Sequence, residues 1–397
     1  MTYLPHQIKW SELAYSKIKD YGFVIIGAQE RTGKTGTFLR VVEISSAQTC
    51  LILTKKNAIP SIQQQIQDFN TTKTYTVTNY QSVHKLASTD YDVIILDEFH
   101  DSGVQGYPKP SATLKALRSV TYDKPIIYVS ATPFSESYAQ VYHALSLSSW
   151  SPFRHKTFYM FHREFGVEAS IYMNGRQMKQ YNIMQDAEVK RIISKYLITA
   201  TRKDLGFKQE PVDQLHVVKL DAQTKADIKM YKAEQMKHFK ETPVPLDSTM
   251  AEANAVYLRG GGFVEHDKGC YQLSSEKIDY LLSHFGDIES VAVMAHYRCE
   301  QKFLSSILKR AKVLSSTADA EGVDLHKIDT LVIYSLSFST SKHIQRRARQ
   351  ANVNRKDPII VHFLLTDAGL DKHVYETVDK KHSNFTARMY ERTTTSD

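Results

Sequence analysis

The sequence predicts an α/β fold with two lobes, each a mostly parallel β-sheet flanked by helices, and a cleft between the lobes. Apolar runs of strand length alternate with helical patterns over residues 23–129, and the alternation resumes over residues 291–334. Strands that alternate with helices in this way form parallel sheets covered on both faces. The 397 residues can also bury more than one hydrophobic core. We expect lobe 1 at 1–150, a linker and mostly helical insertion with candidate nucleic-acid contacts at 151–255, and lobe 2 with a C-terminal tail at 256–397.

The composition narrows the class of protein. No apolar run approaches the roughly 20 residues of a membrane span, and residues 1–10 lack the apolar segment of a secretory signal. Cys50, Cys270 and Cys299 are far apart in the sequence, so we expect no zinc site and no disulfide framework, as in a reducing cytoplasm. The 51 Lys and Arg against 43 Asp and Glu give a formal charge of +8. This charge indicates a phosphate-rich partner, although a mildly basic soluble protein could carry it without one.

Residues 23–37, FVIIGAQERTGKTGT, place an apolar strand before the Walker A spacing of a phosphate-binding loop, with Ala28 in the position of its first Gly. Such a loop converges backbone N–H groups on a polyphosphate at the start of a helix, and Gly33 permits the close approach. Lys34 would reach the β and γ phosphates of ATP, and the Thr35 hydroxyl would ligate Mg²⁺. The residues predicted to surround the nucleotide are Ala28, Gln29, Glu30, Arg31, Thr32, Gly33, Lys34, Thr35 and Gly36.

Residues 91–100, YDVIILDEFH, deliver two adjacent carboxylates at the end of another apolar strand. In this Walker B arrangement Asp97 would hold Mg²⁺ and Glu98 would polarise the attacking water. A further strand at 126–129 ends in Ser130, Ala131 and Thr132, and small hydroxyl residues there could couple the state of the nucleotide to movement of the lobes.

Polar residues outside these motifs complete the first lobe. The Gln7 amide could bond adenine because it both donates and accepts hydrogen bonds, although a surface Gln at a helix start would look the same. Short polar residues at the ends of two strands suit a sugar-phosphate backbone read without regard to sequence. These residues are Thr54, Lys55, Thr78, Asn79 and Tyr80.

The ordered set GAQERTGKT, DEFH and SAT resembles motifs I, II and III of superfamily-2 helicases and translocases of the DExH type. The resemblance implies two RecA-like lobes that use ATP and Mg²⁺. It also implies that Gln7 reads adenine and that His100, Ser130 and Thr132 couple hydrolysis to movement. The residues at the two strand ends fall where that superfamily contacts one nucleic-acid strand.

Two stretches of the second lobe extend the resemblance. Residues 315–325, SSTADAEGVDL, resemble motif V, in which Thr317 would touch the nucleic-acid backbone while Gly322 and Asp324 face the nucleotide. Residues 345–355, QRRARQANVNR, resemble motif VI, which supplies an arginine finger. The motif has Gln followed by Arg four and seven positions later; Gln345 and Arg349 match it, but Asn352 stands where the second Arg is expected. Either Arg355 reaches in after a short insertion, or Arg346 or Arg349 acts alone.

The segments 338–345 and 361–381 resemble the tail of Swi/Snf-like translocases, and compact phage-encoded relatives look most similar. The resemblance implies a monomeric ATP-dependent DNA helicase or translocase in a bacterial or phage-infected cytoplasm, acting on duplex or branched DNA with little regard to sequence. Two alternatives stay open: an RNA helicase, and an ATP-switched binding module that does not step. Strand separation would need a wedge, for which the aromatic segment 153–161 is a candidate.

Overall fold

The computed structural model describes residues 2–86, 90–173, 176–241, 246–266, 269–316, 325, 327–353 and 355–390, which form two compact units. The first unit contains the described residues of Met1–Ile171, Gln177–Gly206 and Phe385–Asp397. The second contains those of Tyr172–Arg176 and Phe207–Asn384. Each unit is built on one parallel sheet with helices around it, so the predicted fold class of two parallel α/β lobes is confirmed.

The first unit has a six-stranded sheet in the order β3-β2-β4-β5-β1-β8, and every neighbouring pair is parallel. Its strands and the two strands of a separate small sheet, β6 and β7, are β1 (Phe23–Ala28), β2 (Thr49–Thr54), β3 (Thr74–Asn79), β4 (Val93–Asp97), β5 (Ile126–Ser130), β6 (Ala169–Met173), β7 (Arg176–Gln180) and β8 (Leu197–Ala200). The helices are α1 (Pro5–Tyr21), α2 (Lys34–Ile44), α3 (Ile59–Asp68), α4 (Ala112–Thr121), α5 (Gln140–Leu145), α6 (Phe158–Phe165) and α7 (Asp186–Ile193).

The sheet of the first unit is buried on both faces, which explains why its strands are continuously apolar. All six residues of β1 and all five residues of both β4 and β5 are buried. One face packs on α1 and α2, where Trp10, Phe38 and Val41 meet Ile26 of β1 and Ile52 of β2. Burying a Val, Ile or Phe side chain is worth about 1.5–3 kcal/mol, so this core fixes the sheet and the strand ends that carry the polar motifs.

The second unit has a five-stranded sheet in the order β13-β12-β14-β15-β9, again with every pair parallel. Its strands, together with the hairpin β10–β11, are β9 (Pro211–Val218), β10 (Phe263–His266), β11 (Gly269–Gln272), β12 (Val291–Ala295), β13 (Lys312–Ser315), β14 (Thr330–Ile333) and β15 (Ile359–Thr366). The helices are α8 (Ala222–Glu241), α9 (Leu246–Gly260), α10 (Glu276–Phe285), α11 (Arg298–Ile307), α12 (Thr340–Arg347) and α13 (Asp371–Tyr390), of which α13 belongs to this unit as far as Asn384.

An ion pair lies inside the core of the second unit. Lys277 Nζ on α10 is 2.7 Å from Asp371 Oδ1 at the start of α13, and both side chains are 1% exposed. Thr366 Oγ1 donates to the other carboxylate oxygen at 2.6 Å, and the ammonium also lies 4.8 Å from the centre of the Tyr334 ring. Buried charges are stable only when they are paired and hydrogen-bonded in this way.

The compact units do not follow the predicted domain boundaries. The segment predicted as a mostly helical insertion supplies β8 to the first sheet and β9 to the second. These strands escaped the sequence pattern because β8 has four residues and β9 mixes apolar with polar residues, which is unlike the apolar strands in the sheet centres.

The expectation of no disulfide framework is contradicted by one disulfide. Cys270 on β11 and Cys299 on α11 form a disulfide, with their Cα atoms 5.7 Å apart, while Cys50 is free and buried. Spacing in the sequence could not show that a hairpin and a helix bring these two side chains together. Among the described residues, none of the helices combines the length and apolar character that crossing a bilayer requires.

Candidate nucleotide-binding site

The predicted motifs of the first unit end side by side on its sheet. The strand β5 lies between β1 and β4, with Gly27 opposite Ser130 and Asp97 opposite Val129. The phosphate loop, the paired carboxylates and the SAT residues therefore emerge at the carboxyl ends of three adjacent parallel strands. Ligands bind at this edge of an open parallel sheet.

The loop after β1 turns sharply into α2. Gly33 precedes the helix with φ +76°, in the left-handed region that favours glycine. Lys34 is the first residue of α2, and its Nζ donates to Ala28 O at 3.0 Å and to Gln29 O at 3.1 Å. The ammonium is thus held inside the curve of the loop, at the N-terminus of a helix whose free N–H groups favour an anion.

Helix α1 holds the same loop from another side. His6 Nε2 donates to Thr32 O at 3.0 Å, and Gln7 Nε2 donates to Gly33 O at 2.9 Å. Gln7 Oε1 accepts a hydrogen bond from Leu4 N at 2.8 Å, which caps the start of α1. An amide has a second N–H and a second lone pair, so Gln7 keeps one donor and one acceptor for another partner. Its predicted contact with adenine stays a prediction.

Gly36 is needed because Gln7 lies against the first turn of α2. A methyl group at Gly36 would lie 2.4 Å from Gln7 Nε2 and 3.1 Å from the Phe69 ring.

We expect Gly36→Ala to lower the free energy of unfolding by about 1–3 kcal/mol through this overpacking. In a Gln7→Ala background the closest atom is gone, and the same change should cost less or even stabilise by up to about 1 kcal/mol, because alanine is the better helix former. Urea unfolding of the four proteins checks this, and an equal cost in both backgrounds would contradict it.

The chain after β8 holds the loop from a third side, a contact that no pattern in the sequence predicts. Gln29 N donates to Ala200 O at 2.9 Å, and Gln29 Oε1 accepts from Arg202 N at 2.7 Å. Arg202 also pairs with Glu30 at 3.1 Å, with side chains only 9% and 12% exposed. Arg202 and His6 are therefore additional residues that shape the loop. No motif marks either residue, because their roles come from chain segments that meet only in the folded protein.

The carboxylate of Asp97 is buried beneath the strand ends. Thr54 Oγ1 donates to Asp97 Oδ2 at 2.7 Å, and Tyr80 Oη donates to Asp97 O at 2.8 Å. The next residue, Glu98, has φ +48° and ψ +42°, a left-handed conformation that costs a non-glycine residue on the order of 1–2 kcal/mol. Such strain persists where the surroundings enforce it, and it is concentrated at functional sites.

The two adjacent carboxylates have opposite electrostatic environments. Burial raises the pKa of Asp97, and the charge of Glu98 raises it further, while Thr54 and Lys34 oppose the shift. Burial alone would also raise the pKa of Glu98, but the hydrogen bond and charge of His100 and the charge of Lys34 outweigh it and lower that pKa. The surroundings of Glu98 therefore favour its charged form, which a base that orients water needs.

His100 connects the DEFH box to the SAT residues. Its Nδ1 lies 2.8 Å from Ser130 Oγ and 3.2 Å from Glu98 Oε2. Ser130 Oγ accepts a hydrogen bond from Thr132 N at 2.9 Å, and the buried Thr132 hydroxyl has no hydrogen-bond partner among the described residues. Three of the residues predicted to couple hydrolysis to movement thus form one chain of contacts that reaches the carboxylate of Glu98.

The residues predicted to hold Mg²⁺ are chemically suited to it. Asp97 and Thr35 offer carboxylate and hydroxyl oxygens, the hard donors that Mg²⁺ prefers. Asp97 is 8% exposed, and the raised pKa of its carboxyl shows that nearby cations do not fully compensate its burial. A divalent cation bound there would supply the missing charge.

Several residues that were predicted to contact nucleic acid form hydrogen bonds within the protein instead. Thr54 and Tyr80 are buried and bonded to Asp97, so neither side chain is available to a nucleic-acid strand in this structure. Asn79 Oδ1 accepts from Ser82 N and caps a short 3₁₀ turn. Thr78 and Lys55 are half-buried and keep their predicted role as a proposal. Strand-end threonines and tyrosines can point into a buried site as readily as toward a ligand, and the tripeptides could not distinguish these cases. Thr317, Gly322 and Asp324 lie outside the described residues.

The arginine-rich segment of the second unit is mostly engaged within that unit. Gln345 and Arg346 lie on α12 and are buried, and Arg346 Nη1 donates to Ser316 O at 2.8 Å and to Ser337 Oγ at 3.0 Å. Burial lowers the pKa of Arg346 to about 10. Arg349 is half-buried in the 3₁₀ turn after α12, and Arg355 Nη1 donates to Ile328 O at 3.2 Å. Arg355 therefore has a structural contact within its own unit.

The three phenylalanines of the aromatic segment predicted as a candidate wedge lie in the core instead. Phe153, Phe158 and Phe161 are each less than 5% exposed. They pack against one another and against Tyr142, with ring centres 5.1–6.1 Å apart. These three side chains cannot separate strands from this position.

Comparison with known proteins gives similarity in structure only. The sequence matches no protein-family profile, and a search of curated proteins found no match. The SWI2/SNF2 ATPase core of Sulfolobus solfataricus in complex with double-stranded DNA is 14% identical, with 97% of this chain and 92% of that chain covered and a TM-score of 0.44. The SWI2/SNF2 ATPase core domain of the same organism is also 14% identical, with 97% and 90% covered and a TM-score of 0.43. Both scores are below 0.5, so the fold class rests on the topology of this chain's own sheets.

Proposed function

We propose that this chain is an ATP-driven motor that acts on DNA. The observation that carries the proposal is the convergence of the Lys34 loop, the Asp97–Glu98 pair and the contact between His100 and Ser130 at three adjacent strand ends. A cation for phosphates and a base for water are parts that phosphoanhydride hydrolysis uses, and the hydrogen-bonded link to the next strand could couple hydrolysis to movement. The resemblance to superfamily-2 motors and the net charge of +8 favour nucleic acid as the partner.

Each residue has a definite task in this proposal. On ATP binding, Lys34 exchanges the carbonyls of Ala28 and Gln29 for phosphate oxygens, and the N–H groups at the start of α2 bind the same phosphates. Thr35 and Asp97 hold Mg²⁺, which when bound neutralises charge on the phosphates. Glu98, kept charged by His100, orients the attacking water.

We assign the sensing of hydrolysis to His100 and to one arginine of the second unit. His100 contacts both Glu98 and Ser130, so a change at the carboxylate reaches the SAT residues through one imidazole. The finger candidates are the arginines that resemble motif VI, of which Arg346 donates to Ser316 O and Arg355 to Ile328 O within their own unit. Arginine fingers contribute roughly 10³–10⁵ to turnover, so Arg349→Ala measured beside Arg355→Ala would identify the residue.

The test of the proposed function is ATP hydrolysis with single-stranded, duplex and branched DNA and with RNA, at about 50 and 200 mM salt. We expect DNA to stimulate turnover more than RNA does. Stimulation should weaken steeply with salt, since a protein with 6–10 phosphate contacts loses roughly 10³–10⁵ in affinity over that range. Stronger stimulation by RNA would indicate an RNA helicase. Nucleotide-dependent binding with no stimulated turnover would indicate a switch and overturn the motor.

A further inference from the structure

An open groove of about 830 Å³ lies in the first unit, away from the three strand ends described above. It is bordered by α6 and by the strands β6 and β7, and its size is within the roughly 300–1,000 Å³ of typical ligand sites. The residues that line it include Tyr159, His162, Arg163, Glu168, Lys179 and Tyr181.

Helix α6 buries one face in the aromatic core and exposes the opposite face. Phe158, Phe161 and Phe165 are buried in the aromatic core of this region. On the other face, Tyr159 is 47% exposed and Arg163 is also exposed. Because the buried face anchors the helix, the exposed side chains are held in place without a large cost in conformational entropy on binding.

His162 gives the groove a buried polar group with no partner. The side chain is nine-tenths buried and lines the groove, and its Nε2 has no hydrogen-bond partner among the described residues. Burial lowers the pKa of His162, and Lys179 adds to this while Glu168 opposes it, so the surroundings favour the neutral ring, which has one donor and one acceptor nitrogen. Buried polar groups in folded proteins are nearly always hydrogen-bonded, which points to a ligand as the missing partner.

The remaining lining residues combine aromatic rings with positive charge. The rings of Tyr159 and Tyr181 are 5.7 Å apart at 69°, and Tyr181 also meets His162 at 5.1 Å. Arg163 and Lys179 are exposed on the two sides of the groove, against one acidic lining residue, Glu168. Aromatic faces for stacking, with cations for phosphates nearby, are what proteins use to hold unpaired nucleotides.

We propose that this groove binds unpaired bases of a single nucleic-acid strand, with Tyr159 as the stacking platform, His162 as the hydrogen-bonding group, and Arg163 and Lys179 on the phosphates. The proposal rests on the proposed function, because it assumes that the chain works on nucleic acid. A duplex does not fit this site, since its bases are stacked and paired and cannot reach a tyrosine face.

The first test compares the affinity for oligo(dT) with that for a blunt duplex by fluorescence anisotropy without nucleotide. We expect Tyr159→Ala to weaken oligo(dT) binding by about 5- to 150-fold, the range measured for loss of one stacked base, and to leave duplex binding unchanged. The matched control is Tyr122→Ala, because Tyr122 is 55% exposed in the same unit and does not line the groove. It should change neither affinity.

A second pair of variants tests the polar groups. His162→Phe keeps an aromatic ring in the cluster and removes the nitrogen, so oligo(dT) binding should weaken while the fold is retained.

Arg163→Ala with Lys179→Ala should reduce the salt dependence of oligo(dT) binding by about 0.7 per lost phosphate contact, or about 1.4 for both. The charge control is Lys9→Ala with Lys115→Ala, two exposed lysines outside the groove that should leave the slope for oligo(dT) unchanged.

The outcomes separate this proposal from the proposed function. If Tyr159→Ala and the Arg163 and Lys179 double variant both keep the wild-type affinity for oligo(dT), binding in the groove is contradicted. An equal loss of affinity for the duplex contradicts it as well. If those variants behave as expected but the wild-type chain shows no DNA-stimulated turnover, binding in the groove is supported and the proposed motor function is contradicted. If DNA stimulates turnover yet the wild-type chain does not bind oligo(dT), the proposed motor function is supported and binding in the groove is contradicted.

Discussion

We expect Lys34→Ala to reduce DNA-stimulated ATP hydrolysis by at least about 100-fold, the usual cost of removing one group that stabilises a developing charge. The Lys34 ammonium is held by two carbonyls inside the phosphate loop, and its charge acts on both Asp97 and Glu98. Without it, the phosphates lose a cation and the carboxylate pair loses a counter-charge. Steady-state turnover at saturating DNA measures the effect, and DNA affinity without nucleotide should stay within a few-fold of wild type.

Two further variants test the same mechanism: one removes the proposed base and the other is a control. Glu98→Gln keeps the shape of the side chain and removes the base, so we expect a comparable loss of turnover with ATP still bound. Lys56→Ala removes an exposed lysine from the 3₁₀ turn after β2 and should leave turnover unchanged. Substantial stimulated hydrolysis in Lys34→Ala or Glu98→Gln would contradict the proposed mechanism.

We expect Lys277→Met to lower the free energy of unfolding by about 3–5 kcal/mol, since it leaves the carboxylate of Asp371 buried without its counter-ion. The pair joins α10 to the start of α13 inside the core of the second unit. Urea unfolding followed by circular dichroism measures the change. An effect below about 1 kcal/mol, the level of a surface pair, would show that the pair is not desolvated.

The chain supplies its own controls for this experiment. Lys225 and Asp367 form an ion pair in the same unit at the same distance of 2.7 Å, but their side chains are 43% and 27% exposed. Lys225→Met should therefore cost only about 0.2–1 kcal/mol. Replacing both buried partners, as in Lys277→Met with Asp371→Leu, should recover most of the stability that the single change loses, because no uncompensated charge remains.

The sequence predicted the parts of the fold that are governed by local pattern. Continuous apolar runs such as β1 and β4 are typical of strands buried on both faces, and both sheets are parallel as expected. The small residues and the strand before them also predicted where α2 begins. These features depend on neighbouring residues, which a single sequence displays directly.

What the sequence could not show are contacts between distant segments. The pairing of Arg202 with Glu30 and the disulfide between Cys270 and Cys299 join residues that no motif connects. Thr54 was predicted to face a nucleic-acid strand, yet its hydroxyl donates to Asp97 within the buried site. A strand end shows which chemical groups are present but not whether they point to solvent or into the core.

The position of β8 has a consequence for how the protein is made. Glu30 and Arg202, which pair beside the phosphate loop, are separated by 172 residues, and β8 is the strand next to β1. A nascent chain on the ribosome therefore presents its Lys34 loop long before the segment that braces it has been translated. We expect the emerging first sheet to remain incomplete, with one side of β1 uncovered, until residues 197–202 leave the exit tunnel.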